Sequence, residues 1–405
     1  MDRWPLSLTQ ESYSTRLRGL DERPVNVTLA LGLDDPPSEL IEQHLRAICS
    51  REPLLRASLD LAEPATLTIH DRPRVPLSVT DGLDPAVVGE QVQHDTQHVF
   101  AAGEPLWRAH LLRTADRTTT LSLNFHHLVF DGVSRGLFLR SLASAAHANS
   151  ANSAAPYAEF AHWQRERFTA DGEDMRFWRD YLKGWAHNQH VPLGFAKNLD
   201  QPLDNSCRHH AVRLAGVATW QVLRWGRRHG VSLFMQVLAA LSVALGEATE
   251  APENLVRATF HGRPSGFERT IGCFGQDVTL RLPTHQVALA DALASTRHAW
   301  DELGDHKFTP YRCVRQAAGG SALPFRPVIV TLNSFSTPTA ASAFGEEAAV
   351  LDVPEFLPEE GLHLQLSQTP QALTLECSYH PVRFASQDIE QFLQRIMSIL
   401  QEPHR

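Results

Sequence analysis

The stretch LSLNFHHLVFDGVSRGLF, residues 121–138, places two adjacent histidines, His126 and His127, ahead of Asp131 and Gly132. Only apolar residues separate His127 from Asp131. A neutral imidazole, with a reference pKa of about 6.5, accepts a proton at neutral pH. It is therefore a natural general base for an amine or hydroxyl nucleophile. Asp131 could orient His127 as in a triad, or it could pair with an arginine and hold the loop in shape. Gly132 tolerates close backbone approach and a positive φ, so its N–H could face a ligand oxygen. No Ser or Cys sits in a GxSxG-type elbow here, which argues against covalent catalysis. Neighbouring side chains on a strand point to opposite faces, so only one of the two imidazoles faces a cleft. For the same reason His126, His127 and Asp131 make a poor metal set. A second histidine pair, in RHHAV (208–212), has no Asp-Gly after it and reads as structural.

The elements around the motif follow from periodicity. PLWRAHLLRTADRTTTLSLNFHH reads as two strands joined by a polar turn at Ala115–Arg117, the second delivering the histidines. After Gly132 the pattern turns helical, with Leu137, Leu139 and Leu142 available for packing. The motif thus sits where a strand gives way to a helix. Upstream, Leu40 to Ile48 has helical spacing, with Ser38 as N-cap. The segment 147–160 is linker-like, and FWRDYLKGW (177–185) reads as an amphipathic helix. The chain is expected to cross between two lobes over about 146–205. The second half alternates helices and strands as the first does. It offers the helix VSLFMQVLAALSVALG, then strands NLVRATF, PVIVTLN, LHLQLSQ and ALTLECSY, and a last helix SQDIEQFLQRIMSIL with Ser386 as N-cap.

Bulk properties bound the class. The 405 residues, 43% hydrophobic and 20% charged, support a large core and two domains or lobes. A net charge of −9 argues against a general nucleic-acid binder. Five scattered cysteines (Cys49, Cys207, Cys273, Cys313, Cys377), with no CxxC pair, fit free thiols in a reducing cytoplasm. The N-terminus lacks the apolar run of a signal peptide. The run FMQVLAALSVALG is too short to span a bilayer and reads as a buried helix, so no membrane partner is expected.

HHLVFDG followed by Ser134 resembles the HHxxxDG motif of the condensation domains of nonribosomal peptide synthetases. Further matches follow in order. PLSLTQESYS (5–14) resembles the family's opening motif, and SREPLLRASL (50–59) its RHExLR motif, with Pro53 at a position usually filled otherwise. YAEFAHWQ (157–164) resembles YxDxAxW, with Glu159 for Asp. HGRPSGFERTIGCFGQDVTLRL (261–282) resembles a Gly-Arg pair followed by IGxFxNTxxxR. HKFTPYRCV (306–314) and PVIVTLNS (327–334) resemble later motifs, so the likeness runs from residue 5 to about 400.

The resemblance implies an α/β (α+β) fold of two chloramphenicol-acetyltransferase-like lobes in a V around a central tunnel. The lobes are expected at 1–165 and 166–405, with a bridging loop near 265–285. It implies a condensation enzyme that joins a carrier-bound acyl or peptidyl thioester to an amine or hydroxyl acceptor, giving an amide or ester, with no metal and no diffusible cofactor. His127 is then the catalytic residue. Asp131 pairs with Arg263 and is architectural, and His126 and Gly132 support the loop. Ser134 and Asn333 are assigned to the substrate tunnel. A stand-alone enzyme, or an excised or first domain, would bind its acyl or peptidyl carrier protein in trans. Arg224, Arg227 and Arg228 of LRWGRRHG share one helical face and are the expected docking residues. The chain departs from the family at FGQD (274–277), where FVNT is usual, and at SALPFRPV (321–328), which lacks RDxSRNP. Paired aspartates, the mark of heterocyclising relatives, are absent from the motif. Three alternatives on the same fold are an acyl-CoA-dependent acyltransferase, an epimerisation domain and a non-catalytic recruitment domain.

Overall fold

Alternation of apolar and polar residues in TTLSLNFH builds the strand Thr119–His126, yet all eight of its residues are buried. Leu121, Leu123 and Phe125 enter the apolar core. The alternate polar row is covered as well: Asn124 donates to the Asp95 carbonyl (2.7 Å) and accepts from Thr28 (3.0 Å). Such partners offset the cost of burying a polar side chain. The strand is therefore central, flanked antiparallel by Asn26–Leu33 and Trp107–Thr114.

The computed structural model describes residues 2–14, 25–144, 155–183, 193–199, 201, 206–249, 251–285, 288–319, 328–333, 340–351, 353, 361–369 and 371–402. The chain forms two compact units. Unit 1 comprises Met1–Thr169 together with His261–Gly275 and Thr337–Phe356. Its main sheet has six strands in the order Ala340–Ala343, Glu346–Leu351, Asn26–Leu33, Thr119–His126, Trp107–Thr114, Leu77–Leu83. A small three-stranded sheet adds Asp2–Pro5, Thr66–Ile69 and Ala57–Asp60. Unit 2 comprises Ala170–Phe260, Gln276–Ser336 and Leu357–Arg405. Its six-stranded sheet runs Gln276–Pro283, Glu253–Phe260, Val328–Asn333, Leu362–Gln368, Ala372–Tyr379, Arg208–Ala215. The helix Leu233–Thr249 is buried along most of its length, as its composition requires.

The division is not the contiguous one expected at residue 165. Two segments of the second half, 261–275 and 337–356, belong to unit 1. Of the stretch expected to bridge, residues up to Gly275 thus join unit 1, while Gln276–Pro283 is an edge strand of unit 2. Two helix starts also differ by one residue. Ser38 and Ser386 are the first residues of their helices, after Pro37 and Ala385, and neither N-cap position supplies a side-chain hydrogen bond. All five cysteines are unbridged thiols. Among the described residues, no single helix is long and apolar enough to cross a membrane. The expected crossing segment falls partly outside the described residues.

Candidate active site

The strand Thr119–His126 ends at the first histidine of the pair, and the helix Gly132–Ser144 begins six residues later. His126, the last residue of the strand's polar row, is buried and turns back on the chain. Its Nδ1 accepts the Leu128 N–H at 3.0 Å, and its ring meets Phe100 edge-on. This fixes the turn. His127 leaves the strand. Its backbone N–H donates to the Val25 carbonyl (2.9 Å), its ring stacks on Tyr13 (4.7 Å, 10° between planes), and it stays half-buried. The thiol of Cys273 lies 3.8 Å from its Nδ1. The two adjacent histidines thus separate into a buried ring that ties down the turn and a partly accessible one.

Asp131 caps the helix. Its Oδ1 accepts the Ser134 N–H at 2.8 Å, the position an N-cap carboxylate serves. The same carboxylate meets Arg263 through two hydrogen bonds (2.7 and 2.9 Å) and accepts the Phe274 N–H (3.0 Å). Burial alone would raise the Asp131 pKa. The Arg263 charge, with hydrogen bonds from Arg263 and Ser134, outweighs burial and holds it below the usual carboxylate value. The Arg263 guanidinium also stacks over Phe274 (4.3 Å) and donates to the Thr270 carbonyl (3.2 Å). Of the two roles open to Asp131, the geometry shows the arginine pair.

Ser134 is not lining an open tunnel. It is fully buried, with its Oγ 2.8 Å from Asp131 Oδ1 and 3.1 Å from the Gly272 carbonyl, and it accepts the Gly272 N–H at 3.0 Å. Its place at the third position of a capped helix draws it inward. Gly132 also departs from expectation. It is exposed and is the first residue of the helix, and its φ is outside the left-handed region, because helical backbone is already required there. The side chain of Asn333, at the end of the strand Val328–Asn333, lies outside the described residues. Arg224, Arg227 and Arg228 are all exposed on the helix Val217–His229 of unit 2, with Arg224 over the ring of Trp220 (4.5 Å). Trp220 itself is 56% exposed, an apolar addition to that basic face.

Three residues of the site lie in matched motifs but carry no site role in the sequence reading. Tyr157 donates its hydroxyl to the Cys273 carbonyl (2.6 Å), and burial pushes its pKa far above the usual value. Gly272 lies so close to the Tyr157 ring that an added Cβ would sit 2.3 Å from it. Cys273 follows. The signal is present in IGCF, where a small residue and a thiol occupy an element already matched on other grounds.

The condensation-domain family model matches residues 23–403. The chain is 27% identical over 344 residues to malpinin synthetase of Mortierella alpina, a match that covers 77% of this chain and 4% of that protein. The chain thus spans only a small part of that relative's length. Among solved structures, the condensation domain of the Monacolin K polyketide synthase MokA aligns with a TM-score of 0.82 at 16% identity, over 99% of this chain and 97% of that one. The X-domain from teicoplanin biosynthesis aligns with a TM-score of 0.80 at 19% identity, over 99% and 95%. At these identities the structural likeness speaks for the fold.

Proposed function

The chain belongs to the condensation-domain family, and from that premise we propose that it joins a carrier-bound acyl or peptidyl thioester to an amine or hydroxyl acceptor. The observation that carries the reading is His127. It is an accessible imidazole, held by its backbone and by Tyr13, at the mouth of a strand–helix junction locked by the Asp131–Arg263 pair. A group fixed in this way suits proton transfer at a defined place.

In the proposed step, His127 takes the acceptor's proton as its nitrogen or oxygen attacks the thioester carbonyl. The tetrahedral intermediate collapses with cleavage of the carbon–sulfur bond. The imidazolium then returns the proton to the departing thiolate. One amide or ester bond forms, one thioester bond breaks, and no redox partner, metal or diffusible cofactor is required. Asp131, Arg263 and Ser134 do not touch the reactants and shape the junction. The carrier docks on the basic face of Arg224, Arg227 and Arg228, beside exposed Trp220. Carrier proteins of this family are usually acidic, and the chain's own net charge is −9, so a local basic patch has to supply the attraction.

The test offers one acyl group on a carrier protein and on coenzyme A, each with an amine acceptor, and measures product by mass spectrometry. Amide formed from the carrier donor supports the reading. Turnover from acyl-CoA alone would place the chain with CoA-dependent acyltransferases. Racemisation of a carrier-bound residue without acceptor incorporation would make it an epimerisation domain. Absence of every activity in folded protein would remove the enzymatic reading.

A further inference from the structure

The backbone of residues 272–274 is fastened at each residue. Ser134 Oγ accepts the Gly272 N–H (3.0 Å), Tyr157 donates to the Cys273 carbonyl (2.6 Å), and the Phe274 N–H donates to Asp131 (3.0 Å). Within this segment Cys273 carries the side chain with acid–base chemistry. It is fully buried, and its sulfur ends 3.8 Å from Nδ1 of His127. The face of the same ring is covered by Tyr13. Nδ1 is therefore turned toward buried sulfur, which leaves Nε2 as the nitrogen able to meet a reactant.

We propose that Cys273 is a positioning residue for His127: its sulfur accepts the Nδ1 proton of the neutral ring, so the Nε2 lone pair is left to act as base. The proposal rests on the general-base reading of His127. A neutral imidazole carries one proton, and the group facing one nitrogen decides which nitrogen holds it. The segment that carries Cys273 is in turn anchored by Asp131, Ser134 and Tyr157. The buried ion pair is thereby linked to the imidazole through two residues of backbone. A cysteine serving only as packing would behave as a small apolar side chain. The two roles predict opposite rankings for valine, which keeps bulk and apolarity, and serine, which keeps an acceptor.

The experiment records 15N spectra of histidine-labelled protein at neutral pH, with the His127 signal assigned by its loss in His127→Ala, together with steady-state kinetics on the carrier-bound donor. Wild-type protein should show a protonated Nδ1 and an unprotonated Nε2 at His127. Cys273→Ser should keep that pattern and hold kcat within about twofold. Cys273→Val should give a tautomer mixture and lower kcat about tenfold at unchanged KM, the scale of one weak hydrogen bond. Cys273→Ala provides the same comparison if valine prevents folding. A wild-type ring protonated at Nε2, or a valine variant that matches wild type while serine is impaired, would overturn the proposal. The 15N readout does not require turnover, so failure of the condensation reading and failure of this one are separable.

Discussion

Asp131 and Arg263, 132 residues apart in sequence, face each other through Oδ2–Nη1 at 2.7 Å and Oδ1–Nη2 at 2.9 Å, with side chains 4% and 3% exposed. A two-pronged arginine–carboxylate pair fixes orientation as well as distance. It fastens the start of the helix that follows His127 to the segment 261–275.

Removing one partner leaves a buried charge without compensation. Asp131→Asn or Arg263→Met should each cost about 3–5 kcal/mol. The double variant should cost clearly less than the sum, since residues in contact are not additive. Urea denaturation of the four proteins provides the check, and strict additivity would mean that the pair is not formed in solution.

The same pair sets a pH dependence. Asp131 titrates below its ordinary value because Arg263 and Ser134 outweigh burial. A depressed carboxylate contributes stability in full above its unfolded pKa of about 3.9, and that contribution is lost as pH falls through the folded value. The stability gap between wild type and Asp131→Asn should thus stay level from about pH 5 to pH 8 and narrow only below about pH 4. A gap that closed between pH 5 and 7 would show a raised carboxyl instead.

Gly272→Ala tests the packing beneath Cys273. Its Cβ would sit 2.3 Å from the buried Tyr157 ring, which is itself held by Ser7 and the Cys273 carbonyl. Overpacking of this kind costs about 1–3 kcal/mol. The variant should melt below wild type, and Tyr157→Ala alongside it should relieve the clash. An unchanged melting temperature for Gly272→Ala alone would show that the segment is less tightly seated than described.

The docking proposed for Arg224, Arg227 and Arg228 predicts a kinetic split. Arg227→Glu combined with Arg228→Glu should raise KM for carrier-bound donor and flatten its salt dependence, because rim charges act on encounter and are screened. Turnover of a small soluble thioester should be unaffected. Equal losses with both donors would place the damage in the fold and remove these arginines from docking.

Much of this is legible in the sequence because it is local. Period-two patterns locate Thr119–His126 and Ala372–Tyr379, and an apolar run locates Leu233–Thr249. The pairing of Asp131 with Arg263 comes from the family resemblance alone, since the residues by themselves leave a triad role for Asp131 equally open. Other features depend on tertiary contacts that no local pattern encodes. Alternation in TTLSLNFH is that of a strand with one polar face, but all eight residues are buried, with Asn124 of the polar row held by the Asp95 carbonyl and Thr28. Ser134, read as tunnel-lining from its place after the motif, is drawn inward by the carboxylate three residues before it. Cys273 reads only as one thiol among five, and its contact with His127 spans 146 residues. The assignment of 261–275 and 337–356 to unit 1 likewise follows from long-range topology.

The most direct test of the central claim is the single-turnover rate of His127→Ala with carrier-bound donor and saturating amine, beside its melting temperature. His127 is half-buried at the edge of the core and its ring makes no charge pair in the described contacts, so the variant should melt close to wild type. Loss of a general base should lower the rate about 10²–10⁴-fold. A folded His127→Ala protein that forms amide at near wild-type rate would contradict the account and leave reactant positioning as the source of catalysis.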